Sequence, residues 1–201
     1  MNQQIEDDGI FPIIIDLTGI VKFLSDKHIK RLEKNNPNLK FETIGKTKLV
    51  INMGTLLKTS KANLKLATRF DLWNEKEKLG EIFESSGEIR LPDLSLKSPD
   101  VMFIRHEILN QLGDIGEKIV IVSPDMALEL MSKTDSLSIA QEKMIQYLKN
   151  GVRLGWLLYP KKRVYFTYKQ NCEMKENSFN VPLQDQEILP NFKLDLTEIF
   201  G

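Results

Sequence analysis

The sequence predicts a mixed α/β (α+β) domain, a mixed β-sheet flanked by helices. Three observations predict it. Helical and extended patterns follow the order helix, hairpin, helix, strands, helix, strands, which suits a sheet with helices on its faces. Residues 126–131, 137–149 and 153–159 read as strand, helix and strand, a crossover unit expected to be right-handed. The chain has 201 residues, of which 41% are hydrophobic, enough for one domain with a full core.

Taken in order, residues 1–24 hold an apolar patch, IFPIIIDLTGI, broken by Pro12 and Gly19. Its length suits a buried strand or an N-terminal arm in a dimer contact, and periodicity does not choose between them. The single domain is expected over 25–201. Ser25 is placed to cap a helix over DKHIKRLEK, which NNPN then ends. LKFETIGKTKLVIN reads as a hairpin around Gly45 and Lys46. Residues 61–79 predict a long helix whose apolar stripe is Leu64, Ala67, Phe70 and Trp73. GEIFESSGEIRLP reads as a second hairpin, turning at Ser86-Gly87.

VMFI is a strand headed by Asp100, and HEILNQL a short helix. In MALEL, alternation sets Ala127 and Glu129 on one face and Met126, Leu128 and Leu130 on the other. Asp135 or Ser136 caps a helix over 137–149, with Leu137, Ala140, Met144, Tyr147 and Leu148 on its apolar stripe and Gly151 after its end. LGWLLY is apolar throughout and reads as a central strand, paired with RVYFTY. Residues 169–187 are polar and loop-rich, and the tail closes on Phe192, Leu194, Leu196, Ile199 and Phe200.

Composition narrows the function. Twenty-eight basic and 28 acidic residues cancel, so no global field draws the chain to nucleic acid or membrane, although a local basic groove is compatible with neutrality. The one cysteine, Cys172, precludes an intrachain disulfide, and two histidines are too few for a histidine-rich zinc site. The polar start, MNQQIEDDG, and the lack of a long apolar run lead us to expect a cytoplasmic protein with no membrane partner.

Three residues carry the chemistry. Glu129 stands among apolar neighbours, where a glutamate is rarely buried unless paired or bound. Asp100 heads an apolar strand. Lys143 lies on one flank of the next helix's apolar stripe and Gln141 on the other, both within reach of the sheet edge. Two carboxylates on neighbouring strands suit Mg²⁺, which takes oxygen ligands and keeps several waters. The plainer readings are a wet strand face for Glu129, turn chemistry for the Ser-Pro-Asp of Asp100, and a boundary lysine for Lys143. Tyr147 reads first as a core aromatic, and Asp125 as turn chemistry. Arg105 and His106 read as surface residues. No Walker pattern or nucleophile elbow is present.

The blocks PDVMFI, SPDMALELMSKTDSLSIAQEKMIQYLKNGVRLGWLLYPKKRVYFTY and EILPNFKLDLTEIF together resemble the Uma family of restriction-endonuclease-like proteins, within the PD-(D/E)XK nuclease superfamily. The likeness runs from about Asn36 to the C-terminus. It implies a restriction endonuclease-like core, Asp100 and Glu129 as ligands of Mg²⁺ or Mn²⁺, and endonucleolytic hydrolysis of DNA leaving a 5′-phosphate and a 3′-hydroxyl. Met131 stands where the strict motif has lysine, and Lys143 in QEKMIQY matches the family's substitute. Gln141 and Tyr147 match neighbouring positions, and Glu42 resembles an early acidic residue that completes the site. A homodimer is also implied, since duplex cutting needs two sites. The chain departs from the family at LLKTSKAN, at Tyr159-Pro160, and at Asn191 where glycine is common. Two rival readings are a non-catalytic nucleic-acid-binding or assembly protein on the same fold, and a hydrolase of other phosphoesters. A long open groove favours nucleic acid; a small closed pocket favours the latter.

Overall fold

The computed structural model describes residues 12–53, 56–116, 118–133 and 135–201. It opens with β1 (Ile13–Asp16), α1 (Asp26–Asn35) and the hairpin β2 (Leu39–Ile44) and β3 (Lys48–Met53). The long helix α2 (Leu57–Glu77) follows, then β4 (Gly80–Glu84), β5 (Ile89–Arg90), β6 (Leu96–Lys97), β7 (Val101–Arg105) and α3 (His106–Leu112). The crossover region holds β8 (Val120–Ile121), β9 (Met126–Leu130), α4 (Leu137–Lys149) and β10 (Leu154–Tyr159). The chain ends with β11 (Val164–Lys169), β12 (Lys175–Ser178), β13 (Leu183–Asp185), β14 (Leu189–Leu194) and α5 (Thr197–Phe200).

The main sheet has six strands in the order β12-β11-β10-β9-β7-β4. Only β9 and β10 run parallel, because the crossover helix α4 returns the chain between them; the other pairs are antiparallel. β10, buried through most of its length, lies inside the sheet, as its unbroken apolar run requires.

Alternation along the strands sends side chains into two separate cores. Val101, Phe103, Met126, Leu128 and Leu130 face α2 and the C-terminal β13–β14 pair, packing with Leu66, Phe70, Trp73 and Phe192. Phe70 and Phe192 stack with centroids 4.3 Å apart, and Trp73 meets Phe103 edge-on. Met102, Ile104, Ala127 and Met131 face α4 and pack with Met144 and Tyr147. The α4 packing is close because Gly155 has no side chain: a Cβ there would stand 2.6 Å from the Met144 terminal methyl. A three-stranded sheet, β1-β3-β2, carries a third core with α1, in which Ile29, Phe41 and Leu96 are buried.

Several expectations change. GEIFESSGEIRLP is not a hairpin: β4 pairs with β7 of the main sheet, while β5 pairs with β6 and β8 in a separate small sheet. The turn signal at Ser86-Gly87 is real, but the two strands leave it for different partners. On α2 the buried stripe is Ala62, Leu66, Phe70, Trp73 and Asn74, whereas Leu64 is 69% exposed. Asp125 is a buried ionic anchor, not a turn former: it accepts from the Arg105 backbone N–H and Nε and lies 3.5 Å from Arg153 Nη1. The expected arm over 1–24 is described from Pro12 on, and there β1 pairs antiparallel with β3; residues 1–11 lie outside the described residues. Asn191, at the position where the family commonly has glycine, adopts φ of +62°, a left-handed conformation that asparagine tolerates.

Among the described residues no helix is long and apolar enough to cross a membrane.

Filling the α4–β10 contact should destabilise the fold without touching the charged residues. Gly155→Ala is expected to cost about 1 kcal/mol by overpacking, because the flexible end of Met144 takes up most of the clash, read as a lower denaturation midpoint at an unchanged m value.

Candidate active site

The register of β7 on β9 builds the site. Val101 faces Leu128 and Met102 faces Ala127, so one further step sets Asp100 beside Glu129. Side chains directly opposite on antiparallel strands share a face, and here it is the α4 face. Asp100 is fixed from two sides: the Leu130 backbone N–H donates to its Oδ2 at 2.7 Å, and Asn63 Nδ2, from α2, donates to its Oδ1 at 2.7 Å.

Helix α4 answers with two residues four apart, on one side of the helix. Tyr147 donates its hydroxyl to Glu129 Oε1 at 2.7 Å, and Lys143 Nζ lies 2.8 Å from the same oxygen. Neither contact uses Oε2. Lys143 is also 2.8 Å from Glu42 Oε1, which comes from β2 in the other sheet. Glu42 Oε2 lies 3.6 Å from Lys97 Nζ, on β6. The hairpin is held here by backbone: the Leu96 N–H donates to Thr43 Oγ1 at 2.7 Å, and the Ser98 N–H to Glu42 Oε1 at 3.4 Å.

Asp100, Glu129, Lys143, Tyr147 and Glu42 thus converge, and Gln141 does not. Two residues apart on a helix is about 200° of rotation, so Gln141 and Lys143 cannot serve one site. Ser132 and Asp135 form the turn before α4, the Ser132 N–H donating to Asp135 Oδ2 at 2.6 Å. Arg105 is taken up by Asp125. Two contributors escaped the sequence reading. Lys97 stands in DLSLKSPD, which reads as a loop with a solvated lysine; its only signal is its place three residues before Asp100. Asn63 reads as an ordinary surface residue of a helix.

Burial and charge oppose each other in this cluster. Burial, with Asp100 and Glu42 adding like charge, pushes Glu129 up to about 7 despite the nearby Lys143. Burial also raises Asp100, against the pull of the Leu130 N–H and Lys143. For Glu42, burial acts upward, but the two lysines outweigh it and hold the carboxyl below its ordinary value. Burial acts downward on Lys143, and Glu129 and Glu42 more than reverse it, so this ammonium stays charged. Lys97 is lowered by its burial. Burial, then the Glu129 charge, lifts the Tyr147 phenol well above its ordinary value, so it remains a donor.

The cluster lines a cavity of about 1210 Å³. Eight acidic residues line it (Glu33, Glu42, Glu88, Asp93, Asp100, Glu129, Asp135 and Glu142) against four lysines, Lys40, Lys97, Lys143 and Lys149. Ile14, Met53 and Leu56 add an apolar side. Among the described residues, no three His, Cys, Asp or Glu side chains form a closed metal cage. The donors are instead two adjacent carboxylates raised by burial, one with both contacts on a single oxygen. That set fits a hard divalent cation that keeps most of its waters.

Residues 26–197 match the sequence profile of the Uma2 family, described as "Putative restriction endonuclease". A crystal structure described as a "putative nuclease" from Anabaena variabilis superposes with a TM-score of 0.68 at 16% identity, covering 80% of this chain and 89% of that one. At that identity the likeness is one of fold. No curated protein matches the sequence.

The raised carboxyl of Glu129 has a consequence for folding. An acid raised from 4.5 to about 7 in the folded state binds more protons folded than unfolded between those values. Its contribution to stability is therefore present below pH 4.5 and lost as pH rises through 7. Glu129→Gln removes that dependence. Relative to wild type, its unfolding free energy should gain up to about 3 kcal/mol between pH 4.5 and 7, measured by urea denaturation at each pH. A constant difference across that range would exclude the raised carboxyl.

Proposed function

We propose that this chain, which belongs to the Uma2 family described as "Putative restriction endonuclease", is an endonuclease hydrolysing phosphodiester bonds of DNA with Mg²⁺. Mn²⁺ would serve in its place. The observation that carries the reading is the pairing of Asp100 with Glu129 on one sheet face, under a lysine that bridges Glu129 and Glu42.

Asp100 and Glu129 would hold the cation. When bound, it would polarise a phosphoryl oxygen and acidify a water. The remaining work falls to side chains. Tyr147 fixes one oxygen of Glu129, Oε1, by its hydrogen bond. Asn63 and the Leu130 N–H each fix one oxygen of Asp100. Lys143 is the group able to donate to a non-bridging phosphate oxygen, and its raised pKa keeps it charged throughout the working range. Glu42 steadies that ammonium while no substrate is present. Hydrolysis adds water across the P–O3′ bond, the oxygen going to phosphorus and a proton to the leaving 3′ oxygen.

Cavity size and charge bear on the substrate. A cavity of about 1210 Å³ exceeds the usual range of small-ligand pockets, which favours a polymer. Its excess of carboxylates repels phosphate until a divalent cation is bound. DNA affinity should therefore depend on the cation as well as on salt. A homodimer would supply the second site that duplex cutting needs.

Purified protein with Mg²⁺ or Mn²⁺ is expected to cut supercoiled and linear DNA, and EDTA to abolish cutting. Glu129→Gln should reduce the rate by at least about a hundredfold, and undiminished cutting by that variant would remove Glu129 from the site. With Ca²⁺, an oligonucleotide duplex should bind more tightly than in EDTA; equal binding would favour a non-catalytic binding protein. Sedimentation at micromolar concentration should give a dimer, and a monomer alone would exclude the two-site arrangement.

A further inference from the structure

Lys97 is the least expected charge in the molecule. Its side chain is 2% exposed, and lysine is almost never so buried unless paired. Its partner is Glu42 Oε2 at 3.6 Å. The other oxygen of Glu42 receives Lys143, 2.8 Å away, and Lys143 is the same distance from Glu129. The charges therefore form one line, from the buried Lys97 and Glu42 to the partly exposed Lys143 and Glu129. An apolar side chain on β6 would fill the same space and avoid the cost of burying an amine. The position of Lys97 is also set rigidly, because its neighbour Leu96 donates its N–H to Thr43, the residue after Glu42.

Lys143 is poised between two carboxylates at equal distance, so its direction depends on how strongly each attracts it. Without Lys97, Glu42 would have a single cation to pair with, and that cation would be Lys143. We propose that Lys97 is a positioning residue, which holds Glu42 so that Lys143 stays available to the phosphate of the substrate. Lys97 touches no reacting atom in this scheme. It acts on charge in two ways: it lowers the negative charge that a cation meets, and it lends Lys143 to the substrate. The inference rests on the nuclease reading above.

The two effects predict changes of opposite sign in one variant. Lys97→Met makes the cluster more negative by one charge, so Mn²⁺ alone, titrated by calorimetry without DNA, should bind about tenfold more tightly. An oligonucleotide duplex in Ca²⁺ should bind the same variant about tenfold more weakly, because Glu42 has captured Lys143. A role in stability alone would weaken both or neither, and either result overturns the proposal. Lys97→Arg, which keeps the charge, should return both affinities toward wild type; persistence of the Lys97→Met pattern in it would overturn the proposal. Should Lys97→Met not fold, Glu42→Gln combined with Lys97→Met removes both charges. That double variant should bind Mn²⁺ and duplex within about threefold of wild type, and a large loss of duplex binding would assign Lys97 to some other task. Glu129→Gln run beside them separates the two hypotheses. If it binds Mn²⁺ as wild type does, the nuclease site is wrong. If it loses Mn²⁺ while Lys97→Met shifts nothing, only the role of Lys97 falls.

Discussion

Lys143 is where the two sheets of the molecule meet electrostatically. Its ammonium lies 2.8 Å from Glu129, on the main sheet, and 2.8 Å from Glu42, on the hairpin sheet. Glu42 is buried and Glu129 largely so, and each would be costly alone. One lysine answers both only if the hairpin is docked against the β5–β6 region at the right depth. The Thr43–Leu96 hydrogen bond and the burial of Phe41 with Leu96 set that depth. The chemistry of the site thus depends on tertiary docking as much as on the strands that carry its acids.

What could be read from the sequence follows from the range of the forces involved. Glu129 was legible because a strand's period of two is local: MALEL alternates, and an acid on the same face as Ala127 stands out. Helix α4 was legible to the residue, from its stripe and its ending before Gly151. Lys143 and Tyr147 came with it. Gln141 was misjudged because the two flanks of an apolar stripe do not face the same neighbour. Leu64 was misplaced because the stripe of α2 is set by the main sheet together with β14 and α5, most of which lie far along the chain. The two-residue strands β5, β6 and β8 have no local pattern at all, since they exist only through pairing with one another. Lys97 belongs to that sheet, which is why its burial was invisible. Of the site, what was hidden is the layer that supports the acids and the lysine, Lys97 and Asn63, whose meaning lies in contacts 55 and 37 residues away.

The cavity sets a charge problem that a nuclease must solve. Carboxylates outnumber lysines along its walls, and the chain as a whole is neutral. An anionic polymer gains little from approaching such a surface. In the proposed reading, a cation at the paired acids would change the balance at one point only, where low dielectric makes each charge count for more. Attraction would then be confined to the proposed place of cutting.

Carboxylates and lysine are carried on elements of different periodicity, joined by the short turn between β9 and α4. Surface turns usually accept insertions. This one has little freedom, because one residue added there, with the helix kept in its seat, would advance every side chain of α4 by about 100°. Glu142 would then occupy the place of Lys143, and three carboxylates would crowd together with no ammonium between them. In the evolution of this chain, that turn should therefore keep its length more strictly than its residues.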